Sequence, residues 1–208
     1  MLHATFDKGG FNCYFCKKNK TMIQQAPVTV YSESTPNPNS MKFVLNRMLT
    51  NDILDFPDSA SASVSPLVSR LFEFSFVRSA FVSANFITLT KDPETEWHEV
   101  TGMVRECIKS ELDAGTQLLA VSMSASPSQP LGEVEEKIVS VLEEYIRPAV
   151  EMDGGAIQFR SFDGGIVTVS LQGACSGCPS STLTLKAGIE NLLKRMVPEV
   201  TEVVAMAE

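Results

Sequence analysis

The sequence of 208 residues lacks any long hydrophobic run. Its apolar stretches are only a handful of residues long, whereas a helix needs ~20 apolar residues to cross a bilayer. The N-terminus also lacks the apolar core of about 7 to 15 residues that a secretory signal contains, because Lys8, Gly9 and Gly10 interrupt it. We therefore expect a soluble protein that is not exported and has no membrane partner.

Arginine is missing near the N-terminus, and over the whole chain basic residues are fewer than acidic ones. Residues 1–21 contain no arginine, which is untypical of a mitochondrial presequence, so we expect a cytoplasmic protein. Over the whole chain, 17 Lys and Arg face 25 Asp and Glu, which gives a net charge of −8. A body of this sign repels phosphate backbones, so nucleic acid is not an expected partner.

The segment 119–130 divides the chain. It is rich in Ser and Pro and contains no charged residue, a composition typical of a linker. The division predicts an N-terminal extension at 1–21, a first domain at 22–118 and a second domain at 131–208. Both domains mix helix and strand patterns, so the expected fold class is α+β, with two small α+β domains joined by a Ser/Pro-rich linker.

Apolar periodicity predicts the elements of each domain. The first domain is expected to have strands at 28–32, 41–45, 78–83 and 86–90 and helices at 66–72 and 96–115. In the second, a helix from Val134 is expected to stop at Arg147-Pro148, because proline disfavours helical geometry in the residue before it. The expected elements after it are strands at 156–161 and 166–171, a helix at 185–196 and a strand at 200–205.

Two turn-rich segments lie beside predicted strands. The sequence TPNPN at 35–39 is typical of an exposed loop between strands, either a plain turn or a surface for a partner. The sequence DGG at 153–155 predicts a turn that enters a strand, because glycine tolerates positive φ. Asp153 is therefore not an expected ligand.

Cysteines carry the chemistry that the sequence indicates. The chain has five, of which Cys13/Cys16 and Cys175/Cys178 form two pairs with two residues between the partners. In a protein that is not secreted, this spacing indicates metal binding or redox chemistry before structural disulfides. Cys107 lies in an apolar helical stripe and is expected to be a core residue.

The pair at 175 and 178 lies where the chain is expected to leave a strand and enter a helix. Two thiolates at this spacing reach one metal or one edge of a cluster, and Gly177 lets the backbone turn between them. Pro179 suits the first turn of a helix, which puts Cys178 near its N-cap. The partial positive charge there lowers a thiol pKa. We expect both cysteines on a surface loop, outside the core.

Several readings of this pair stay open on the residues alone. Thioredoxin-like dithiol exchange also uses such a pair at a helix start, although here the proline follows the second cysteine. A structural zinc or an iron–sulfur cluster needs four ligands, and the only histidines, His3 and His98, lie far from the pair in sequence. The missing thiolates would come from Cys13 and Cys16, as in a zinc-stabilised interaction module, or from a second copy of the chain. Two buried thiols without a ligand are the plain structural alternative.

Four longer motifs resemble a known family. RPAVEMDGG at 147–155 and GACSGCPSS at 173–181 resemble the C-terminal domain of NifU, and TPNPNSMKF at 35–43 with FITLTK at 86–91 resembles the N-terminal domain of Nfu-type proteins. The resemblance covers roughly residues 26–205. Residues 1–21, with Cys13 and Cys16, do not match the Nfu pattern.

The resemblance implies an iron–sulfur cluster carrier. Such proteins hold a 4Fe-4S cluster between two protomers, each giving both cysteines, which here are Cys175 and Cys178. The expected partners are a second copy of the chain when the cluster is bound, upstream cluster-assembly proteins and apo iron–sulfur enzymes. Since no general acid, general base or phosphate-binding loop is apparent, we do not expect an enzyme. The alternative function is a thioredoxin-like dithiol oxidoreductase.

Overall fold

A computed structural model describes residues 27–119, 132–175 and 179–207 of the chain. The predicted N-terminal extension with Cys13 and Cys16, nearly all of the predicted linker, and Cys178 lie outside these residues.

The first domain is built on a five-stranded antiparallel sheet with two helices. The strands follow the order β1-β2-β5-β4-β3 across the sheet. Its elements are β1 (Val30–Ser34), β2 (Ser40–Leu45), β3 (Leu54–Phe56), a 3-10 turn (Ser61–Val64), α1 (Pro66–Leu71), β4 (Val77–Ser83), β5 (Phe86–Lys91) and α2 (Trp97–Asp113). The strands and helices expected from periodicity are present, and β3 is an addition to them.

One face of this sheet carries the core of the first domain. Phe43 of β2, Ile87 of β5 and Ala80 of β4 are buried together with residues of α1 and α2. The buried residues of α2 are Val100, Val104, Ile108 and Leu112. Because these positions recur every three or four residues, they form one stripe of the helix, as its sequence predicts.

The second domain is a three-stranded sheet with helices before and after its hairpin. The sheet has the order β6-β7-β8, in which β6 and β7 are antiparallel and β7 and β8 are parallel. The elements are α3 (Glu133–Val141), a π turn (Leu142–Ile146), α4 (Arg147–Met152), β6 (Gly155–Asp163), β7 (Ile166–Gly173), α5 (Pro179–Met196) and β8 (Glu202–Ala207). Both domains combine helices with sheet, so the expected α+β class is confirmed.

The prediction that the first helix of the second domain stops at Arg147-Pro148 is wrong. The chain remains helical to Met152, because a π turn precedes α4 and Pro148 lies in the first turn of α4. The widened turn accommodates a residue that has no backbone N–H and that would clash with the carbonyl four residues earlier in a regular α-helix. The consequence is that Glu151 and Met152 end a helix directly before the DGG segment.

No helix within the described ranges 27–119, 132–175 and 179–207 is long and apolar enough to span a membrane.

Candidate functional site

The structure places Cys175 between the end of β7 at Gly173 and the start of α5 at Pro179. The expected order of strand, cysteine segment and helix is therefore confirmed, with Pro179 as the first helical residue. The side chain of Cys175 is only 7% exposed and belongs to the apolar core of the second domain, together with Leu171 and Ile189. The expectation that it lies on a surface loop outside the core is wrong, because the chain turns inward directly after β7.

Gly173 starts this inward turn. It has a φ of +69°, and a Cβ there would lie 2.8 Å from the carbonyl oxygen of Gly154 and 2.9 Å from the ring of Phe81. Both the backbone conformation and the close approach therefore require glycine. The next amide, of Ala174, donates a hydrogen bond of 3.2 Å to the same Gly154 oxygen. The cysteine segment is thus attached to the turn that precedes β6.

That turn is the DGG segment, and its predicted conformation is confirmed. Asp153 is the C-cap residue that follows α4, Gly154 has a φ of +80°, and Gly155 begins β6. Gly155 pairs with Gly173 in the antiparallel ladder. A Cβ on Gly155 would lie 2.7 Å from the Sγ of Cys175. The sulfur therefore rests against the bare backbone of Gly155.

Burial changes the acidity of Cys175. It raises the pKa of the thiol to about 11, and the negative charge of Asp153 adds to the effect. Both causes disfavour the thiolate. The expected lowering of a thiol pKa by the helix N-terminus concerned Cys178, which lies outside the described residues, so it stays a prediction; at Cys175 burial acts in the opposite direction.

A small cavity opens beside the sulfur. It has a volume of about 40 Å³ and is lined by Pro36, Asp153, Ala174, Cys175 and Leu185. Pro36 belongs to the loop between β1 and β2 of the first domain, and the other four belong to the second domain. The two domains therefore meet at the proposed ligand.

The remaining candidate residues lie elsewhere. Cys107 is half-buried on α2 and packs against the core of the first domain, as expected, and burial raises the pKa of its thiol. His98 is exposed on the same helix. Among the residues that the structure describes, no three His, Cys, Asp or Glu side chains group together as a metal site.

Residues of the first domain that contact the end of α4, the DGG turn and the end of β7 were missed by the sequence reasoning. They are Lys42 on β2, Phe81 on β4 and Thr88 on β5. Alternation along each strand places them on the face opposite the core. Nothing in the local pattern indicates that another domain covers that face.

Comparison with known proteins identifies both domains. The family described as "NifU-like domain" matches residues 138–204, and the one described as "Scaffold protein Nfu/NifU N terminal" matches residues 30–115. A human relative, "NFU1 iron-sulfur cluster scaffold homolog, mitochondrial", is 38% identical over 178 residues, covering 82% of this chain and 69% of the relative. A relative of the same name from Drosophila willistoni is 36% identical over 179 residues, covering 84% of this chain but 62% of the relative.

A solved structure shows a weaker similarity. The solution structure of a NifU-like protein from Saccharomyces cerevisiae is 20% identical and covers 58% of this chain and 98% of its own, with a TM-score of 0.40. This value supports no argument about the fold. The two family matches and the human relative are sufficient: the chain belongs to the Nfu/NifU family, with an Nfu-type N-terminal domain followed by a NifU-like domain.

Proposed function

We propose that this protein is an iron–sulfur cluster carrier that binds a 4Fe-4S cluster between two protomers and transfers it to apo recipient proteins. The observation that carries the proposal is the position of Cys175 at the strand-to-helix junction of the NifU-like domain, three residues before Cys178. The names of the human and fly relatives describe an iron–sulfur cluster scaffold, without specifying the cluster type, and no catalysed reaction. These names support a scaffold-type protein that is not an enzyme, and transfer of the cluster is part of our proposal.

The ligand count favours a cluster shared between chains. A 4Fe-4S cluster takes four cysteine thiolates as a rule, and the NifU-like domain contains two cysteines. Two copies of the segment supply the full set. Gly173 and Pro179 flank the segment, Gly177 is expected from its residue type to let the backbone turn, and Cys175 and Cys178 of each copy are the proposed ligands.

Transfer follows as a ligand exchange without electron transfer. The sulfur of an incoming thiol bonds to iron, the bond between iron and Cys175 breaks, and the proton of the incoming thiol passes to the Cys175 sulfur. Release therefore returns Cys175 to the protonated form that the buried apo site favours. Dithiol exchange, the alternative, uses an attacking thiolate, which a raised pKa at Cys175 opposes.

The proposed partners follow from this role. They are a second copy of the chain, upstream assembly proteins that supply the cluster, and apo iron–sulfur proteins that receive it. The human and fly relatives are named as mitochondrial, so a cytoplasmic location stays a prediction that imaging of a tagged chain tests. The domain boundaries at 22–118 and 131–208 likewise stay proposals.

Anaerobic reconstitution with iron and sulfide tests the proposal. Wild-type protein should bind about four irons per two chains and become dimeric only when the cluster is bound. Cys175→Ala and Cys178→Ala should bind none, and alanine is preferred because serine would put a hydroxyl into the core at position 175. Cys107→Ala is the matched control and should behave as wild type.

Three results would contradict this function. Full iron content in a monomer would exclude the shared site. Unchanged iron content in Cys175→Ala and Cys178→Ala would show that these cysteines are not the ligands. Stoichiometric zinc binding that excludes iron would favour the zinc module that the sequence left open.

A further inference from the structure

The outer face of the first sheet, opposite its core, is covered by the second domain. Phe81 and Phe86 form a buried apolar cluster with Ala156 of β6, and Val44 packs against it. The outward face of an antiparallel sheet commonly meets water, yet Thr88 on this face is only 1% exposed and Lys42 only 9%. The cover consists of the end of α4, the DGG turn, the start of β6 and the end of β7.

Lys42 holds the helix that ends before the DGG turn. Its Nζ donates hydrogen bonds to the carbonyl oxygens of Glu151 at 2.9 Å and of Met152 at 3.4 Å. The last carbonyls of a helix have no partner within the helix, and a cationic side chain suits the negative end of the helix dipole. A carboxylate oxygen of Glu33 lies 3.6 Å from Nζ, and the centroid of the Phe86 ring lies 4.7 Å from it.

Thr88 reaches the turn itself. Its Oγ1 donates a hydrogen bond of 2.6 Å to the carbonyl oxygen of Gly154. This is the oxygen that also accepts the 3.2 Å bond from the amide of Ala174. One backbone oxygen therefore connects the first domain to the residue directly before Cys175.

Phe81 closes the contact from the other side. Its ring lies 2.9 Å from the position that a Cβ on Gly173 would take. The ring consequently limits the movement of the strand end from which the cysteine segment starts. Lys42, Thr88 and Phe81 together contact the backbone on both sides of the turn that supports the sulfur of Cys175.

We propose that Lys42, Thr88 and Phe81 are positioning residues through which the first domain braces the cysteine segment, so that the two domains of one apo chain move as a single body. The brace relies on the proposed function only in treating Cys175 as a ligand. It acts through Gly154 and Gly173 and touches no iron. The NifU-like domain alone would retain the cysteines but not this support.

Nitrogen-15 relaxation of the full-length apo protein tests the brace. In the wild type, amides of β1–β5 and of β6–β8 should report one common tumbling time. Thr88→Val with Lys42→Met should give each domain its own, shorter time. The exchange rate of the Ala174 amide hydrogen should rise about fivefold in Thr88→Val, the size expected for the loss of one net hydrogen bond at Gly154.

Matched variants separate positioning from general destabilisation. Thr88→Ser keeps the hydroxyl and should restore the Ala174 exchange rate to near the wild-type value. Lys109→Met removes an exposed lysine of α2 in the same domain and should change neither readout. If the double variant loses the dispersed amide signals of β1–β5, the single variant Thr88→Val, which preserves side-chain shape, decides the question.

Two results would overturn the brace. The first is separate tumbling times for the two domains in the wild type. The second is an Ala174 exchange rate that Thr88→Val leaves unchanged. Since the measurements use the apo protein, a failure of the brace is distinct from a failure to bind a cluster.

Discussion

Gly155 and Cys175 lie so close that a Cβ on Gly155 would be 2.7 Å from the Sγ of Cys175. The contact joins the DGG turn to the cysteine segment, two motifs that are 20 residues apart in sequence but adjacent across the β6–β7 ladder. The family motif before β6 therefore supports the sulfur without supplying a ligand. This explains how a turn with no metal-binding residue belongs to the same site as the cysteines.

We expect Gly155→Ala to destabilise the apo protein by about 1–3 kcal/mol, the usual cost of overpacking a filled interior. The new methyl would meet the Cys175 sulfur and, at 2.6 Å, the carbonyl oxygen of Gln172, which is backbone and cannot rotate away. We also expect weaker retention of iron, because the sulfur must shift. Urea unfolding and a chelator challenge after reconstitution measure the two effects.

The matched control for this variant is Gly102→Ala in α2. Nothing lies within 4 Å of a Cβ at Gly102, and alanine in a helix interior is more stable than glycine by roughly 0.5–1 kcal/mol. It should raise stability and leave iron retention unchanged. Equal iron retention in Gly155→Ala and wild type would show that the sulfur position tolerates the added methyl.

The stability of the apo protein should fall as pH rises from 9 to 11. The pKa of the Cys175 thiol is raised in the folded chain from its ordinary 9.0 to about 11. Its contribution to stability is therefore fully present below pH 9 and is lost as pH rises through the folded pKa, by about 2–3 kcal/mol in total. Anaerobic urea unfolding at pH 8 and at pH 10.5 measures the loss.

Cys175→Ala provides the comparison for this pH dependence. The variant should lose less stability between the two pH values than the wild type, since its buried position no longer titrates. Cys107→Ala controls for a second thiol whose pKa burial raises. An identical loss in Cys175→Ala and wild type would mean that the Cys175 thiolate is accommodated in the apo fold.

Sequence patterns predicted most helices and strands because the buried apolar residues of each one recur at the spacing of that type of element. The stripe of Val100, Val104 and Ile108 marks α2 without knowledge of its neighbours. β3 was missed because Leu54–Phe56 is too short for alternation to show. The helix through Pro148 was missed because a π turn depends on how the surrounding chain packs, which local periodicity does not encode.

The site was predictable in its chemistry but not in its surroundings. Cysteine spacing and Pro179 indicated the strand-to-helix junction. The burial of Cys175 depends on contacts with Gly155 and the core of its domain, which come together only after folding. Lys42 and Thr88 alternate with core residues along their strands, as polar residues do in a sheet whose outer face meets water. The sequence pattern therefore does not reveal that the second domain covers them.

An isolated second domain, residues 131–208, should fold and bind iron but release it faster than the full chain. It has its own buried core, which includes Ile138, Leu171 and Leu193, and both proposed ligands. It lacks the contacts from Lys42, Thr88 and Phe81. Iron counting after reconstitution and the rate of iron loss to a chelator measure both properties.

The full chain carrying Lys42→Met and Thr88→Val should release iron at the rate of the isolated domain, and Lys109→Met at the rate of the wild type. A folded fragment that cannot be reconstituted would instead mean that the first domain supplies ligands or the dimer contact. The fragment of residues 22–118 contains a single cysteine, Cys107, and should bind no cluster.

Deletion of residues 1–21 should leave iron content and transfer rate unchanged. Lys17, Lys18 and Lys20 favour the thiolates of Cys13 and Cys16 by charge, but the segment is too short and polar to build a shell that excludes water and fixes ligand geometry. The described part of the first domain begins at residue 27. Val28 is buried, and its amide donates a hydrogen bond of 3.3 Å to Oδ1 of Asp113. A protein that starts at Met22 keeps this anchor.

A protein that starts at Val30 is the control for this deletion. It loses the buried side chain of Val28, so its free energy of unfolding should fall by about 1.5–3 kcal/mol. Urea unfolding measures this loss. The two truncations therefore separate the cysteine pair from the fold of the first domain. If the protein that starts at Met22 binds less iron, Cys13 and Cys16 donate ligands. If it keeps its iron but transfers the cluster slowly, the segment acts in docking or exchange with the recipient.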